Sequence, residues 1–413
     1  MIKMYNENQV HVVNDMSTNT KKCIILAYTY YNRPWEMKSG DDVRIHTLLK
    51  SLALATGNTV IAFHLTAQNN NGTPIRGRVV YVAMPRRFYN ILARIVGWKN
   101  HYDLNPLMKI THYIDELIAI TKIAREAPKG CAIVVLGSMT LASFFLRTLK
   151  TNIKIIYDSL ANYAQTLYLR SRRSSLELLR YGVYLALHRL QLSTSNLAIY
   201  PSNLDSNTAR HMFNLIKAIV VPNPAPVCYN SLEEYLQLRR QRKDDKRPYF
   251  ILLAGGRGRT NEEAVRHTIE VFNKLPPNRF ILLITGPWND HKSYVRNRSI
   301  NILGIVPHEQ LKELLATADY GLSPIFSHAA GTFMKILAYQ AADLNIIASP
   351  HSLLGLEIKN PRKIRVVHNY YEYVHAVEET VHNHQPGQQR SPLLCEERDR
   401  TFQAQLSEVL RQL

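Results

Sequence analysis

Residues 318–349, ADYGLSPIFSHAAGTFMKILAYQAADLNIIAS, give the clearest fold signal in this chain. The apolar run at 320–324 predicts a strand that is buried on both faces of a parallel sheet. Small residues at 327–332 predict a turn, and the apolar spacing from Phe333 onward predicts a helix that leads into a second strand at 346–349. This order of elements is typical of a βαβ unit.

The turn in this unit is a candidate anion site. The first turn of a helix leaves backbone N–H groups free and carries the positive end of the helix dipole. Lys335 adds a full positive charge at that place. The alternative is a plain crossover in which Gly331 only relieves a tight turn.

Composition indicates a large folded protein with a positive electrostatic field. The chain has 413 residues, enough for two or three domains, and 46% of them are hydrophobic. Its formal net charge of +19 attracts phosphate groups in nucleic acid, anionic lipid or a nucleotide-linked substrate. No helix-turn-helix, zinc or RNA-binding motif is recognisable, so we do not expect nucleic acid to be the partner.

The cysteines and the N-terminus bear on the compartment. Cys23, Cys131, Cys228 and Cys395 are far apart, and no pair has the spacing of a metal or redox motif, which favours a reducing compartment. The first residues are polar and lack the apolar run of a signal peptide. The chain contains no run of about 18 uncharged apolar residues, so we expect no transmembrane helix. These features predict a cytoplasmic protein.

The first half of the chain carries candidate acceptor-side residues. Gly40 lies in the loop between the strand predicted at 23–28 and the helix that follows it. A ligand of a doubly wound sheet approaches the backbone at such a loop. Asp158 follows the strand predicted at 153–157, where its carboxylate could act as an acid or base or could cap the next helix.

Two basic segments with interleaved apolar and aromatic residues, 85–100 and 168–192, lie in this half. Each one predicts an amphipathic helix packed on the sheet. The alternative is an interfacial helix that rests on anionic lipid. We therefore keep surface attachment to a membrane as a hypothesis.

A second domain starts after the charged run at 233–248. The strand predicted at 249–254 leads into a basic, glycine-rich loop, and Thr260 or Asn261 is the predicted cap of the next helix. The loop residues are Gly255, Gly256, Arg257, Gly258 and Arg259. Arginine binds phosphate bidentately, so this loop is a second phosphate-type site. It is not a Walker loop, because Gly-Lys-Ser/Thr is missing.

The order of these motifs resembles the nucleotide-sugar half of a family 4 retaining glycosyltransferase (glycosyl transferases group 1). The motifs are the Gly-Gly-Arg loop, a strand ending in Gly286-Pro287, NILGIVPHEQLKELLATADYGLSPIF, GTFMKILAYQAADLNIIAS and LLGLE. The resemblance is nearly continuous over 219–357. It is weaker in the first half, where SGDDVR, IIYDSLANY and VPNPAP occur in the expected order.

The resemblance implies an α/β protein of the GT-B fold, with two Rossmann-like doubly wound parallel-sheet domains facing a cleft. We expect residues 1–21 to form a flexible tail and 22–221 the N-terminal acceptor domain. Residues 222–385 are then the C-terminal nucleotide-sugar domain. Residues 386–413 are a linker and a terminal helix that packs back on the N-terminal domain.

The resemblance also implies roles for individual residues. Arg257 and Lys335 match positions that neutralise the leaving diphosphate, and Asp158, from its place after a strand, completes the predicted catalytic set. The predicted donor-binding residues are Gly255, Gly256, Arg259, Gly286, Gly331 and Thr332, and the predicted acceptor-side residues are Gly40 and Arg44. The family has no obligatory metal, and we expect no cofactor besides the nucleotide-sugar substrate.

Several positions depart from the family pattern. The two glutamates usual around the turn, of which the second commonly holds the ribose hydroxyls, are Ala330 and Ala338 here. Glu262 stands where a lysine is common, although Arg259 could replace its charge. Asp343 and Asn345 stand where Gly and Pro are usual. Loss of both glutamates removes acceptors for the sugar and ribose hydroxyls.

Two hypotheses for function follow. The first is a retaining, hexosyltransferase-like glycosyltransferase that moves a sugar from a nucleotide-diphosphate sugar to a glycan, lipid-linked or surface glycoconjugate acceptor, in the cytoplasm or peripherally on the inner face of the membrane. The alternative is a degenerate GT-B protein that binds a nucleotide sugar, glycan or protein partner without turnover. The missing glutamates favour the alternative, and the retained Gly-Arg and Gly-Thr-x-x-Lys motifs favour the first.

Overall fold

The computed structural model describes residues 25–29, 40–57, 60–66, 75–76, 79–85, 106–126, 132–136, 141–149, 153–159, 175–214, 217–242, 245–327, 333–387 and 389–411. The predicted amphipathic segment at 85–100 lies outside the described residues except for residue 85. The same holds for Cys23, Cys131, Ala330, Gly331 and Thr332.

The described part of the first half forms one eight-stranded sheet. Its strands are β1 (Ile25–Thr29), β2 (Val60–Thr66), β3 (Ile75–Arg76), β4 (Val79–Pro85), β5 (Ala132–Leu136), β6 (Lys154–Asp158), β7 (Leu197–Tyr200) and β8 (Ala218–Val220). Their order is β3-β4-β2-β1-β5-β6-β7-β8. All neighbours pair in parallel except β3, which is antiparallel to β4. The helices of this half are α1 (Gly40–Thr56), α2 (Pro106–Glu126), α3 (Ala142–Leu149), α4 (Ser175–Thr194) and α5 (Asn203–Phe213).

The second half forms a six-stranded parallel sheet. Its strands are β9 (Tyr249–Leu253), β10 (Ile281–Thr285), β11 (Ile300–Gly304), β12 (Tyr320–Ser323), β13 (Asn345–Ala348) and β14 (Ile364–Val366), in the order β11-β10-β9-β12-β13-β14. The helices are α6 (Leu232–Arg240), α7 (Arg259–Asn273), α8 (His308–Thr317), α9 (Met334–Ala341), α10 (Pro350–Leu353), α11 (Tyr370–His382) and α12 (Cys395–Arg411). Two short 3-10 helices, Asn289–Tyr294 and Pro361–Lys363, connect strands.

Both sheets are covered on both faces, which is why their strands are almost continuously apolar. In β5, Val134 and Val135 point into two different clusters of buried side chains on opposite faces of the first sheet. In β9, Ile251 and Leu252 do the same in the second sheet. The prediction of two doubly wound α/β domains is therefore confirmed.

The terminal helix α12 packs on α1 of the first domain. Phe402, Leu406 and Val409 lie in one buried cluster with the apolar face of α1. Lys50 of α1 donates to Asp399 of α12 at 2.9 Å. The last helix thus ties the end of the chain to the first sheet.

The structure corrects the interpretation of the cysteines. Cys228 and Cys395 form a disulfide, although 167 residues separate them. A spacing of this length carries no sequence signal, because folding alone brings the two thiols together. The argument from cysteine spacing for a reducing compartment is therefore wrong, since disulfides are typical of oxidising environments.

Among the described residues, none of the helices is both long and apolar enough to cross a membrane. Nor do the His, Cys, Asp and Glu side chains of these residues form a group of three or more that could hold a metal ion.

Candidate functional site

The glycine-rich loop after β9 opens onto the start of α7. Gly258 is the N-cap, and no side chain caps the helix. The predicted caps, Thr260 and Asn261, are therefore wrong, because the helix begins one residue before Thr260. A Cβ added at Gly255, Gly256 or Gly258 would meet no atom within 4 Å. The loop therefore leaves room for a ligand to approach the first N–H groups of α7.

Lys335 joins the start of α9 to the start of α7. Its Nζ donates to the Asn261 Oδ1 at 2.8 Å, although the two residues are 74 positions apart. The side chain is half-buried, and desolvation of the ammonium lowers the pKa of Lys335 to about 7. Phe333, the N-cap of α9, provides no side-chain cap. Two helix N-termini therefore meet here, together with a lysine whose charge changes near neutral pH.

Arg257 lies in the loop that precedes α7 and is held by a carboxylate. Its Nη1 and Nη2 each donate to one oxygen of Asp290 at 2.8 Å, and its guanidinium lies 5.5 Å from the ring of Trp288. The bond from Arg257 holds the pKa of Asp290 at about 2. Both side chains are about half exposed, so this pair is in contact with solvent. Its bidentate geometry is the one that arginine also uses toward phosphate.

Gly286 has a packing role beside this loop. Its φ is +117°, and a Cβ there would lie 1.9 Å from the Ala254 carbonyl oxygen. That oxygen accepts a hydrogen bond from the Trp288 indole at 2.7 Å. Gly286 therefore allows the ends of β9 and β10 to approach each other. Contact between Gly286 and the nucleotide-sugar donor stays a prediction.

Glu263 is a residue of the site that the sequence did not reveal. Its Oε1 accepts from the N–H groups of Phe326 and Ser327 at 2.8 and 3.0 Å. This carboxylate holds the chain that follows β12 against α7, directly before the predicted turn. Glutamate is common in the first turns of helices, so the sequence alone does not single out Glu263. Only its hydrogen bonds to Phe326 and Ser327 show its role.

The acceptor-side residues Arg44 and Asp158 bind each other. Arg44 Nε and Nη2 donate to the two Asp158 oxygens at 3.0 and 2.5 Å. Arg44 is 1% exposed and Asp158 is 0% exposed. Arg44 also donates to the Val221 carbonyl at 2.8 Å and to Asn223 at 3.0 Å. The pair therefore joins β6, α1 and the linker between the domains, while Gly40 is the first residue of α1.

Of the two positions where the resembled family has glutamates, 330 and 338, the structure describes only the second. Ala330 lies outside the described residues. Ala338 is fully buried in an apolar cluster with Ile336, Ala342 and other side chains of the second domain. Because its methyl group is enclosed by apolar neighbours, position 338 presents no acceptor for a ribose hydroxyl.

The structure thus divides the predicted residues into two sets. Arg259, Lys335 and the open glycines lie at the starts of α7 and α9, and Arg257 lies in the loop before α7. Arg44 and Asp158 form a closed pair in the other domain. Gly331 and Thr332 stay predictions, because they lie outside the described part of the chain.

Comparisons with known proteins identify the architecture. No protein-family model and no curated protein matches this chain. Among solved structures, it is similar to sucrose-phosphate synthase from Thermosynechococcus elongatus, with a TM-score of 0.66, 14% identity and 94% of both chains covered. It is also similar to an α,α-trehalose-phosphate synthase (UDP-forming) from Burkholderia vietnamiensis, with a TM-score of 0.62, 10% identity and 95% and 96% covered.

A third neighbour was solved with a ligand. It is described as trehalose-6-phosphate from E. coli bound with UDP-2-fluoro glucose, and it matches with a TM-score of 0.58, 12% identity and 94% and 96% of the chains covered. These neighbours are GT-B glycosyltransferases, and the similarity extends over nearly the whole length of both chains. The chain therefore has the GT-B fold, as predicted, whereas identities this low show the fold alone.

Proposed function

We propose that this protein is a retaining glycosyltransferase that moves a sugar from a nucleoside-diphosphate sugar to an acceptor hydroxyl. The observation that carries the proposal is the Lys335–Asn261 contact of 2.8 Å, which brings the starts of α7 and α9 together. Helix N-termini and cations at one place are the groups that bind a diphosphate. The ligand class agrees with the neighbours, one described as UDP-forming and one bound with UDP-2-fluoro glucose.

Each cation would contribute differently to diphosphate binding. Arg259 is exposed at the first position of α7, where its guanidinium adds a positive charge to that of the helix dipole. Lys335 is only partly protonated near pH 7, and an adjacent phosphate would raise its pKa. Arg257 can reach phosphate when Asp290 releases it or through the N–H groups that Asp290 leaves free.

The chemical step requires these charges at the leaving group. The bond between the anomeric carbon and the phosphate oxygen breaks, and the electron pair leaves with the diphosphate. The acceptor oxygen forms the new bond to the same carbon, and its proton leaves to the diphosphate or to solvent. Positive groups near the phosphates stabilise the charge that develops, at roughly 3 to 4 kcal/mol per well-placed donor. The side chains supply this charge, so the proposal includes no obligatory metal.

The acceptor side is the less defined part of the proposal. Asp158 is engaged by Arg44 and is fully buried, so we assign the pair the role of holding the end of β6 and the linker in place. A glycan or lipid-linked acceptor stays a prediction. A cytoplasmic location also stays a prediction.

Attachment to an anionic membrane surface is a further part of the proposal. Leu178, Leu179 and Val183 of α4 are more than half exposed on this basic protein. Exposed apolar side chains combined with positive charge fit an anionic lipid interface. We expect sedimentation with anionic vesicles and not with neutral ones, and weaker sedimentation when the three residues are replaced by serine. Equal sedimentation with both vesicles would contradict attachment.

A second candidate function is binding of a nucleotide sugar without turnover. The burial of Ala338 among apolar side chains favours it, because a ribose acceptor of the family is absent there. Binding energy from the cations would remain, while precise placement of the sugar would be lost.

One assay separates the two candidates. A panel of nucleoside-diphosphate sugars is incubated with the wild type, with Arg259→Met and with Arg266→Met, an exposed control on the same helix. With water as the acceptor, we expect the wild type and the control to release nucleoside diphosphate, and the sugar that is released first to keep the anomeric configuration of the donor. Arg259→Met should release it at least tenfold more slowly. Donor binding without release would favour the second candidate, and equal rates in all three proteins would contradict the assigned site.

A further inference from the structure

The two chain segments that connect the domains are tied together at one point. The first segment follows β8, and the second leads from α11 into α12. Cys228 and Cys395 form a disulfide between them. Tyr229 N–H donates to the Leu393 carbonyl at 3.1 Å, and Cys395 N–H donates to the Tyr229 carbonyl at 2.8 Å. Two hydrogen bonds and one covalent bond therefore join the two crossings.

The junction lies on the second domain, and α12 leads from it onto the first. Tyr229 is fully buried in the core of the second domain, and its hydroxyl donates to the Lys312 carbonyl at 3.3 Å. Cys395 begins α12, whose residues Phe402 and Leu406 are buried against α1 of the first domain. The disulfide therefore links a segment fixed in one domain to a helix fixed on the other. Such a link restricts rotation of one domain against the other.

The place of Cys395 favours thiol exchange. Cys395 is the first residue of a 17-residue helix, and a thiolate at a helix N-terminus is stabilised by the helix dipole. Its neighbours Glu396 and Glu397 oppose this effect and Arg398 supports it. Cys395 is partly exposed, whereas Cys228 is 5% exposed. An external thiol therefore reaches the sulfur of Cys395 first.

The junction also borders the helix that carries Lys335. A pocket with a volume of about 140 Å³ lies between the two crossings and α9. Its lining includes Ala225 and Leu393 of the crossings and Leu337 and Gln340 of α9. Movement of the crossings therefore changes the packing around α9, which starts at the candidate site.

We propose that Cys228–Cys395 is a thiol-reducible clasp that holds the two domains in a fixed relative orientation. A dithiol reductant attacks the sulfur of Cys395, which breaks the disulfide and releases the Cys228 thiolate to take up a proton. The second thiol of the reductant then displaces Cys395 as a thiolate, which takes up a proton, and the reductant leaves as a cyclic disulfide. The protein gains two thiols, and the reductant is oxidised by two electrons. This clasp does not depend on the proposed transferase activity.

Hydrogen exchange of the full-length protein tests the clasp. We compare oxidised and dithiothreitol-treated wild type, the double variant Cys228→Ser with Cys395→Ser, and the control Cys131→Ser. In the reduced wild type we expect amides of α1 and α12 to exchange at least threefold faster, with α7 unchanged. The serine double variant should match the reduced wild type with or without reductant, and Cys131→Ser should behave as wild type.

Three results would overturn the proposal. The first is thiol titration that finds all four cysteines free after purification without reductant. The second is equal exchange of α12 in oxidised and reduced wild type. The third is a response to dithiothreitol in the serine double variant, because its origin would lie outside the clasp. The comparison within the wild type is independent of whether the double variant folds.

Discussion

The two domains each contain charged residues at the carboxyl ends of parallel strands or on nearby helices, but these residues differ in what they can bind. In the first domain Arg44 and Asp158 neutralise each other and are excluded from solvent. In the second domain Arg259 and Lys335 lie at open helix starts, and the carboxylate at Arg257 is half exposed. A charged side chain at a strand end is therefore a candidate ligand-binding residue only when no oppositely charged residue of the protein already pairs with it and buries it. The difference supports the proposal of a structural role for the first set and of a binding role for the second.

The largest expected effect is on the closed pair. Asp158→Asn and Arg44→Met each leave one buried partner without its counter-charge, so each should reduce the free energy of unfolding by about 3 to 5 kcal/mol. Urea denaturation followed by circular dichroism measures this. Lys50→Met, which removes an exposed ion pair to Asp399, is the control and should cost less than about 1 kcal/mol. An Asp158→Asn variant as stable as the wild type would contradict the structural role proposed for the pair.

Two glycines of the second domain, one packed and one open, sharpen the comparison. Gly286→Ala should reduce the free energy of unfolding by about 1 to 3 kcal/mol, since φ is positive and the new Cβ meets the Ala254 carbonyl. Gly256→Ala meets no neighbouring atom, so we expect nearly unchanged stability and weaker nucleotide binding. Thermal unfolding and a binding titration of both variants measure these effects. Equal stability of the two variants would contradict the packing role of Gly286.

The titration of Lys335 predicts a pH dependence of binding. The pKa of Lys335 is about 7 without ligand, and a bound diphosphate favours the charged form and raises it. Affinity should therefore be highest below pH 7 and should fall by up to tenfold per pH unit above it, until the raised pKa is passed.

Calorimetry of a nucleoside-diphosphate sugar at several pH values tests this dependence. The control is Lys335→Arg, whose guanidinium stays charged over the whole range, so its affinity should be nearly constant. An affinity of the wild type that does not change between pH 6 and pH 9 would contradict the contact between Lys335 and the diphosphate.

The smallest expected effect concerns Asp290. This carboxylate competes with phosphate for Arg257, so Asp290→Asn should tighten nucleotide binding, by at most about fivefold because the pair is exposed. In the Arg257→Met background, Asp290→Asn should leave the nucleotide affinity unchanged. Weaker binding by Asp290→Asn alone would mean that Asp290 positions Arg257 instead of competing for it.

Much of the fold could be predicted because its signals are local. The apolar runs at 320–324 and 346–349 and the small residues between them predicted a βαβ unit, and the structure has β12, α9 and β13 there. The antiparallel β3 was not predicted, since two residues carry too little pattern.

The site was only partly predictable because its contacts are long-range. Asn261 was predicted as a helix cap, yet its side chain accepts from Lys335, 74 positions away. Arg44 and Asp158 were predicted as separate acceptor-side residues, and their pairing across 114 positions was not. The Cys228–Cys395 disulfide was missed for the same reason. A strand or a helix is encoded by its neighbours in sequence, but a pair of side chains is determined by the folded chain.

The central claim is that Arg259 and Lys335, at the starts of α7 and α9, bind the diphosphate of a nucleotide sugar. Calorimetric titration of a panel of nucleoside diphosphates and their sugars into the wild type, Lys335→Met and Lys274→Met tests it most directly. Lys274 is the control because it lies at the opposite end of α7 and is exposed. We predict that one nucleotide binds the wild type and Lys274→Met alike and binds Lys335→Met about 10- to 100-fold more weakly. Equal affinity of all three proteins, or no binding by folded wild type, would contradict the claim.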